Sequence, residues 1–248
     1  MAERKHSLII EKDIPSKIGL ISDIHGNYYA LIRALKIFNK HNINKYIFLG
    51  DSIGYIPSLK ALNIIFQKSE DFLCIKGNHE TMLLNKNICS KRNKIYLLDA
   101  VEIRIGNDKR KYINSWQDSL IIKFEEKSFL FVHGSPSDPI NGYVYPDTEL
   151  DQFDTKHDVI FMGHSHWAFD RSYKTKRFIN PGSCGLPRDN GQFGSIGIFN
   201  FNTLKYKSIR FDISDSYMKL KKEHPEIDKS VLDLRHRKKI KIPREEIA

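Results

Sequence analysis

Five short polar clusters punctuate this 248-residue chain: Asp23-x-His25, Gly50-Asp51, Gly77-Asn78-His79-Glu80, His133-Gly134 and Gly163-His164-Ser165-His166. Each follows an apolar run. Five of the ten histidines stand in them; the others, His6, His41, His157, His224 and His236, lie in polar or terminal segments. Imidazole is the commonest metal-binding side chain and binds in its neutral form. One His-x-His pair proves little, since a polar residue at a strand end is ordinary. Five clusters together describe a binuclear metal centre. Two divalent cations about 4 Å apart repel each other, and a shared anion offsets that repulsion. Asp51, central in the series, is the candidate bridge. Asp23 and His25 can reach one ion, and His164 and His166 one ion each. Asn78 offers an amide oxygen and His133 a further nitrogen. A mixed nitrogen and oxygen set suits Mn, Fe, Zn, Co or Ni better than Mg or Ca.

The elements that must carry these clusters alternate in type. "KIGLISD" (17–23), "KYIFLGD" (45–51) and "DFLCIKGNHE" (71–80) read as strands with polar ends. Between them, 27–40 and 58–68 carry apolar residues at helical spacing. Alternation of this kind implies parallel strands joined by crossover helices, with ligands gathered at the carboxyl ends of the strands. Residues 120–134 read as a hairpin, 158–166 as another strand with a polar end, and "RFINPGS", "SIGIFNFN" and "LKYKSIRFD" as further short strands. The expected fold is α/β, two mixed β-sheets packed face to face and flanked by helices. The expected domain covers 17–212, with 85–115 and 135–150 as insertions over the site. A charged extension, a short helix and then a loose end, is expected over 213–248.

Charge is uneven. The net is +10; residues 85–115 hold eight Lys/Arg against three acids, and 218–248 hold ten against six. Such stretches could attract an anionic substrate or nucleic acid, but a solvated surface explains them equally. Cys74, Cys89 and Cys184 are odd in number and widely spaced, which argues for a reducing compartment and against cysteine-ligated zinc. No apolar run is long enough to cross a bilayer, and the first residues lack a secretory pattern. A cytoplasmic location is expected; oligomeric state is left open.

The ordered set DxH, GD, GNH[D/E], H and GHxH resembles the calcineurin-like metallophosphoesterase superfamily, over roughly residues 17–212. The resemblance implies two metal ions, manganese foremost. It gives Asp23, His25, Asp51 and His166 to the first and Asp51, Asn78, His133 and His164 to the second. It places His79 beside the leaving oxygen as an imidazolium acid, with Asp23 also orienting it, and leaves Glu80 a structural part. The block "GDSIGYIP" lacks the Asp-Arg pair usual in the serine/threonine phosphatases and symmetrical diadenosine tetraphosphatases. "FVHGSP" and "NPGSCGLPRD" look instead like the small prokaryotic-type phosphodiesterase branch, where Arg188 could replace the missing phosphate-binding cation. The implied activity is hydrolysis of phosphodiesters or phosphomonoesters by in-line attack of a metal-bridging hydroxide. Alternatives are a protein phosphatase or dinucleoside polyphosphate hydrolase, a nuclease, and a non-catalytic scaffold of the same fold. A phosphate ester is the expected partner; nucleic acid is not favoured.

Overall fold

Side-chain alternation along the strands decides how the layers stack. The computed structural model describes residues 7–11, 14–86 and 90–248. Cys89 and part of the 85–115 segment lie outside the described residues. The first half contains β1 (Ser7–Ile10), β2 (Lys17–Ile21), α1 (Tyr28–Lys40), β3 (Tyr46–Phe48), α2 (Lys60–Gln67), β4 (Phe72–Cys74), α3 (Asn78–Asn85), α4 (Ser90–Tyr96), α5 (Leu98–Arg104) and α6 (Gly106–Ser115). The second contains β5 (Ser119–Phe124), β6 (Lys127–Val132), β7 (Val159–Phe161), β8 (Ala168–Tyr173), β9 (Lys176–Pro181), β10 (Phe193–Asn200), β11 (Tyr206–Asp212), α7 (Ser214–Glu223) and α8 (Lys229–Leu232).

Two mixed sheets result. One has five strands in the order β11-β10-β2-β3-β4, the other six in the order β1-β5-β6-β7-β9-β8. β2, β3 and β4 run parallel, with β10 antiparallel to β2; β6, β7 and β9 run parallel. Ile18, Leu20 and Ile47 from one sheet meet Phe129, Phe131, Val159, Phe161 and Ile179 from the other in a dry layer. The alternate residues Ile21, Tyr46 and Phe48 turn to the opposite face, where the helices pack. On α1, Ala30, Leu31, Ala34, Ile37 and Phe38 make that contact, and the Asn27 side chain caps the first turn by accepting from Ala30 N at 3.2 Å. On the outer face of the six-stranded sheet, Leu130, Val132, Ile160, Met162 and Phe178 are covered by Val144 and Leu150 of the loop after β6.

The ladders are shorter than the apolar runs suggest. β3 stops at Phe48, β4 at Cys74 and β7 at Phe161. The polar ends therefore leave the sheets as loops, and Asn78, His79 and Glu80 form the first turn of α3 instead of continuing a strand. The 90–115 region adds Leu98, Val101, Ile105 and Ile113 to the helix-side core. The region after β11 is more firmly packed than the loose end expected. Tyr217, Leu220, Ile227 and Val231 are buried. Farther on, Lys239 N donates to Asp189 O and Ala248 N to Arg210 O, both at 2.8 Å.

Candidate metal centre

The loops leaving β2, β3, β6 and β7 converge with the start of α3, and Asp23, His25, Asp51, His79, Glu80, His133, His164 and His166, which they bring together, are buried. Tight turns aim the side chains. Asp23, His25, Asp51, His164 and His166 all have φ between 49° and 63°. The left-handed region is uncommon for any residue but glycine, though Asp and His enter it more readily than most, and it persists where surrounding contacts hold it. Those contacts are visible: Asp23 N donates to Gly50 O at 3.0 Å, His25 N to Asp51 O at 2.9 Å, and His164 N to Asp23 Oδ2 at 3.1 Å. Ser183 Oγ donates to Asp23 O at 2.7 Å, and Asn180 Nδ2 to Gly163 O at 2.8 Å.

Glu80 fastens two of the loops together. Its Oε2 accepts from Asp51 N and Gly77 N, both at 2.9 Å; its Oε1 accepts from Ser52 N and Ser52 Oγ, both at 2.7 Å. Gly77 must be glycine for a different reason, since a Cβ there would lie 2.1 Å from Asp51 Oδ1.

Three histidine tautomers follow from their partners. A carbonyl only accepts, so Nδ1–H of His25 is committed to Ile53 O (3.1 Å), that of His133 to Leu49 O (2.7 Å) and that of His166 to Leu186 O (2.5 Å). Their Nε2 atoms all point inward. His25 Nε2 and His166 Nε2 stand 3.1 Å apart. In neutral rings both carry lone pairs, so neither has a proton to give the other. Asp23 Oδ1 lies 3.3 Å from His166 Nε2, buried and with no hydrogen-bond partner. Beside this group, His133 Nε2 lies 3.1 Å from both His164 Nδ1 and Asn78 Oδ1. Asp51 Oδ2 stands between the two groups, 3.3 Å from His133 Nε2 and 3.6 Å from His25 Nε2. In each of the sets Asp23, His25, His166 and Asp51, His133, His164 the donor atoms lie within 4.8 Å of one another.

The electrostatics fit cations. Burial holds His25 and His166 well below the ordinary histidine range and pushes His164 down to about 3. These rings are neutral donors. Burial pushes Asp23 up to about 7, since its carboxylate lacks compensation. Burial would also raise Asp51 and lower His133, but their mutual attraction outweighs it, so Asp51 stays ionised and His133 rises to about 9. Facing lone pairs, an orphaned carboxylate oxygen and two buried acids are what a divalent cation compensates.

His79 also joins the centre, with Nε2 4.0 Å from Asp51 Oδ2 and its backbone N–H on Asp51 Oδ1 at 3.0 Å. The expected orienting contact with Asp23 is not made. Asp23 is turned to His164 N and His166, and Asp51 is the carboxylate nearest His79. Gly54 (φ +91°) makes room for the imidazole, since a Cβ there would fall 2.0 Å from Nδ1. Burial lowers His79 to about 4, so its resting form is neutral and not the expected imidazolium.

Arg188 reaches the same mouth. Its Nη2 donates to Tyr55 OH at 3.0 Å, and among the described residues no carboxylate pairs with it. Its neighbour Asp189 is held by buried Arg210 at 2.5 Å. Sequence reasoning missed the aromatic lining: Tyr55 and Tyr96 against His79, at ring separations of 5.0 and 4.6 Å, and Tyr143 on His164 at 3.9 Å. Tyr55 adjoins the Gly50-Asp51 cluster and was within reach of motif reading; Tyr96 and Tyr143 lie outside the polar clusters, with no local signal.

Comparison with known proteins gives a concordant result. Residues 17–203 match the calcineurin-like phosphoesterase superfamily domain. The chain is 32% identical over 232 residues to an uncharacterised protein of Methanocaldococcus jannaschii, covering 84% of this chain and 93% of that one. It is 24% identical over 202 residues to a phosphodiesterase of the same archaeon, covering 78% and 98% respectively. Its fold is shared with a hypothetical protein of Pyrococcus horikoshii at TM-score 0.76, with 20% identity and coverage of 91% of this chain and 99% of the other. A metallophosphoesterase from Sphaerobacter thermophilus superposes at TM-score 0.72, with 20% identity over 89% and 98% of the two chains.

Proposed function

The chain belongs to the calcineurin-like phosphoesterase superfamily and is a hydrolase of ester bonds, and from that premise we propose that it is a two-metal phosphoesterase acting on phosphodiesters or phosphomonoesters. The observation that carries this reading is the pair of donor groups on either side of Asp51 Oδ2: on one side His25 Nε2 and His166 Nε2 face each other with lone pairs and no proton to share, and on the other His133 Nε2, His164 Nδ1 and Asn78 Oδ1 converge. Asp23, His25, Asp51 and His166 would hold one divalent ion; Asp51, Asn78, His133 and His164 would hold the other, with manganese the first candidate. Bound there, such ions lower the pKa of water toward neutrality and neutralise phosphoryl charge, which supplies the nucleophile for in-line attack.

The chain's own residues do the rest. Arg188, a cation without a carboxylate partner among the described residues, binds the phosphate oxygens. His79 serves the leaving oxygen: its Nε2 faces the centre and Tyr55 and Tyr96 hold the ring. Burial keeps it neutral at rest, and an arriving phosphate anion favours its protonated form, which then gives up the proton as the ester bond breaks. Similarity to an archaeal phosphodiesterase favours diesters. Residues 17–212 form the catalytic domain. Free Cys74 and Cys184 fit a reducing, cytoplasmic setting; among the described residues no helix is long and apolar enough to cross a membrane.

The test is a screen of phosphomonoesters and diesters with chelator-stripped protein reloaded with Mn, Ni, Zn or Mg. Activity should vanish on stripping and return with a transition metal. Undiminished turnover in metal-free protein would refute the proposal.

A further inference from the structure

The loop between β6 and the short 3-10 turn Leu150–Gln152 holds two part-exposed tyrosines. Tyr143 is 49% exposed and Tyr145 37% exposed, and their rings are parallel within 4° at 5.8 Å. Tyr143 also lies over His164, a residue of the centre, so the three rings form a continuous series that runs from the metal centre to solvent.

This series is built and not incidental. Val144, between the two tyrosines, is 1% exposed and buried on the outer face of the six-stranded sheet. It pins the loop with both rings turned away from that core. Tyr145 N donates to Thr148 Oγ1 at 2.8 Å, Thr148 N returns to Tyr145 O at 3.1 Å, and Arg171 Nη1 donates to Thr148 O at 2.7 Å. The parts of these rings left in water lose little entropy when a second ring covers them. The charge of Arg188 is felt by both tyrosines. A phosphate at Arg188 and the centre therefore has aromatic surface beside it.

We propose that Tyr143 and Tyr145 form a subsite for a planar aromatic group carried on the substrate phosphate, a nucleobase in the first instance. The subsite rests on the phosphoesterase reading and deepens it: the centre acts on the phosphate, and the ring series selects what is attached. A base stacked on an aromatic side chain is sequence-tolerant, and its loss on alanine substitution weakens binding by roughly 5- to 150-fold.

Equilibrium binding to manganese-loaded protein tests this without turnover when each phosphomonoester below is supplied as its phosphonate analogue, with CH2 in place of the bridging ester oxygen. Adenosine 5′-monophosphate and ribose 5-phosphate differ only in the base; phenyl phosphate and methyl phosphate isolate a simple ring. The base should tighten binding by about 10-fold or more. Tyr143→Ala and Tyr145→Ala should each shrink that ratio toward one, and Tyr143→Phe, which keeps the face and loses the hydroxyl, should preserve it. A gain in the first pair alone identifies a nucleobase site; a gain in both identifies a site for any aryl ester. No gain in either pair, or a gain that survives both alanine variants, overturns the subsite. Failure of inorganic phosphate itself to bind the metal-loaded protein is a separate result and overturns the phosphoesterase reading as well.

Discussion

Replacing Asp51 by asparagine keeps the outline of the side chain and removes its charge. The amide oxygen can still accept from His79 N, as Oδ1 now does at 3.0 Å. The change falls on Oδ2, which lies 3.3 Å from His133 Nε2 and 3.6 Å from His25 Nε2. Two unit charges 4 Å apart interact by about 4 kcal/mol at an effective dielectric constant of about 20, and a dication doubles that figure. The remaining amide dipole and local relaxation recover part of it. A net loss of about 4 kcal/mol weakens metal binding roughly 1,000-fold. At a metal concentration that saturates the wild type, the same deficit makes metal-induced stabilisation about 4 kcal/mol smaller, or roughly 8–16 °C in Tm for a chain of this size. Metal analysis of the purified variant, Mn titration calorimetry and thermal melts with and without Mn measure all three consequences. Two ions held as tightly by Asp51→Asn as by the wild type would show that Asp51 is not the shared anion.

Two other substitutions separate the remaining roles. His79→Ala should keep its metals but slow turnover by roughly 100- to 10,000-fold, as expected for loss of a general acid. The loss should be far greater on alkyl or nucleoside esters, whose alkoxide needs a proton, than on a nitrophenyl ester; equal damage on both, or lost metal, rules the acid role out. Glu80→Gln turns an amide nitrogen toward backbone N–H groups that the carboxylate now satisfies with both oxygens. The two unmatched donors cost about 3 kcal/mol together, lowering Tm by roughly 6–12 °C, and an unchanged melt with full metal content would mean Glu80 does not fasten the two loops.

Much of this protein is legible in its sequence because the information is local. A strand buried on both faces must be apolar throughout, so a polar cluster directly after it marks the point where the chain leaves the sheet. Asp23, His25, Asp51, Asn78, His133, His164 and His166 stand out for that reason, and the alternation of strand and helix patterns implies the parallel order of β2, β3 and β4. Other features depend on residues distant in sequence. His25 and His166, 141 positions apart, face each other only because their loops leave opposing sheets at the same end. The left-handed turns that aim Asp51 and His164 are a conformation that Asp and His tolerate better than most side chains, but residue type alone does not select it; bonds from neighbouring loops hold it. His79 reads as an acid in the sequence, but the packing of Tyr55 and Tyr96 around it, with burial, decides that it rests neutral. The Tyr143–Tyr145 series has no motif at all: two tyrosines around a valine look like any short strand, and only the burial of Val144 against a distant sheet leaves Tyr143 on His164 with Tyr145 beside it.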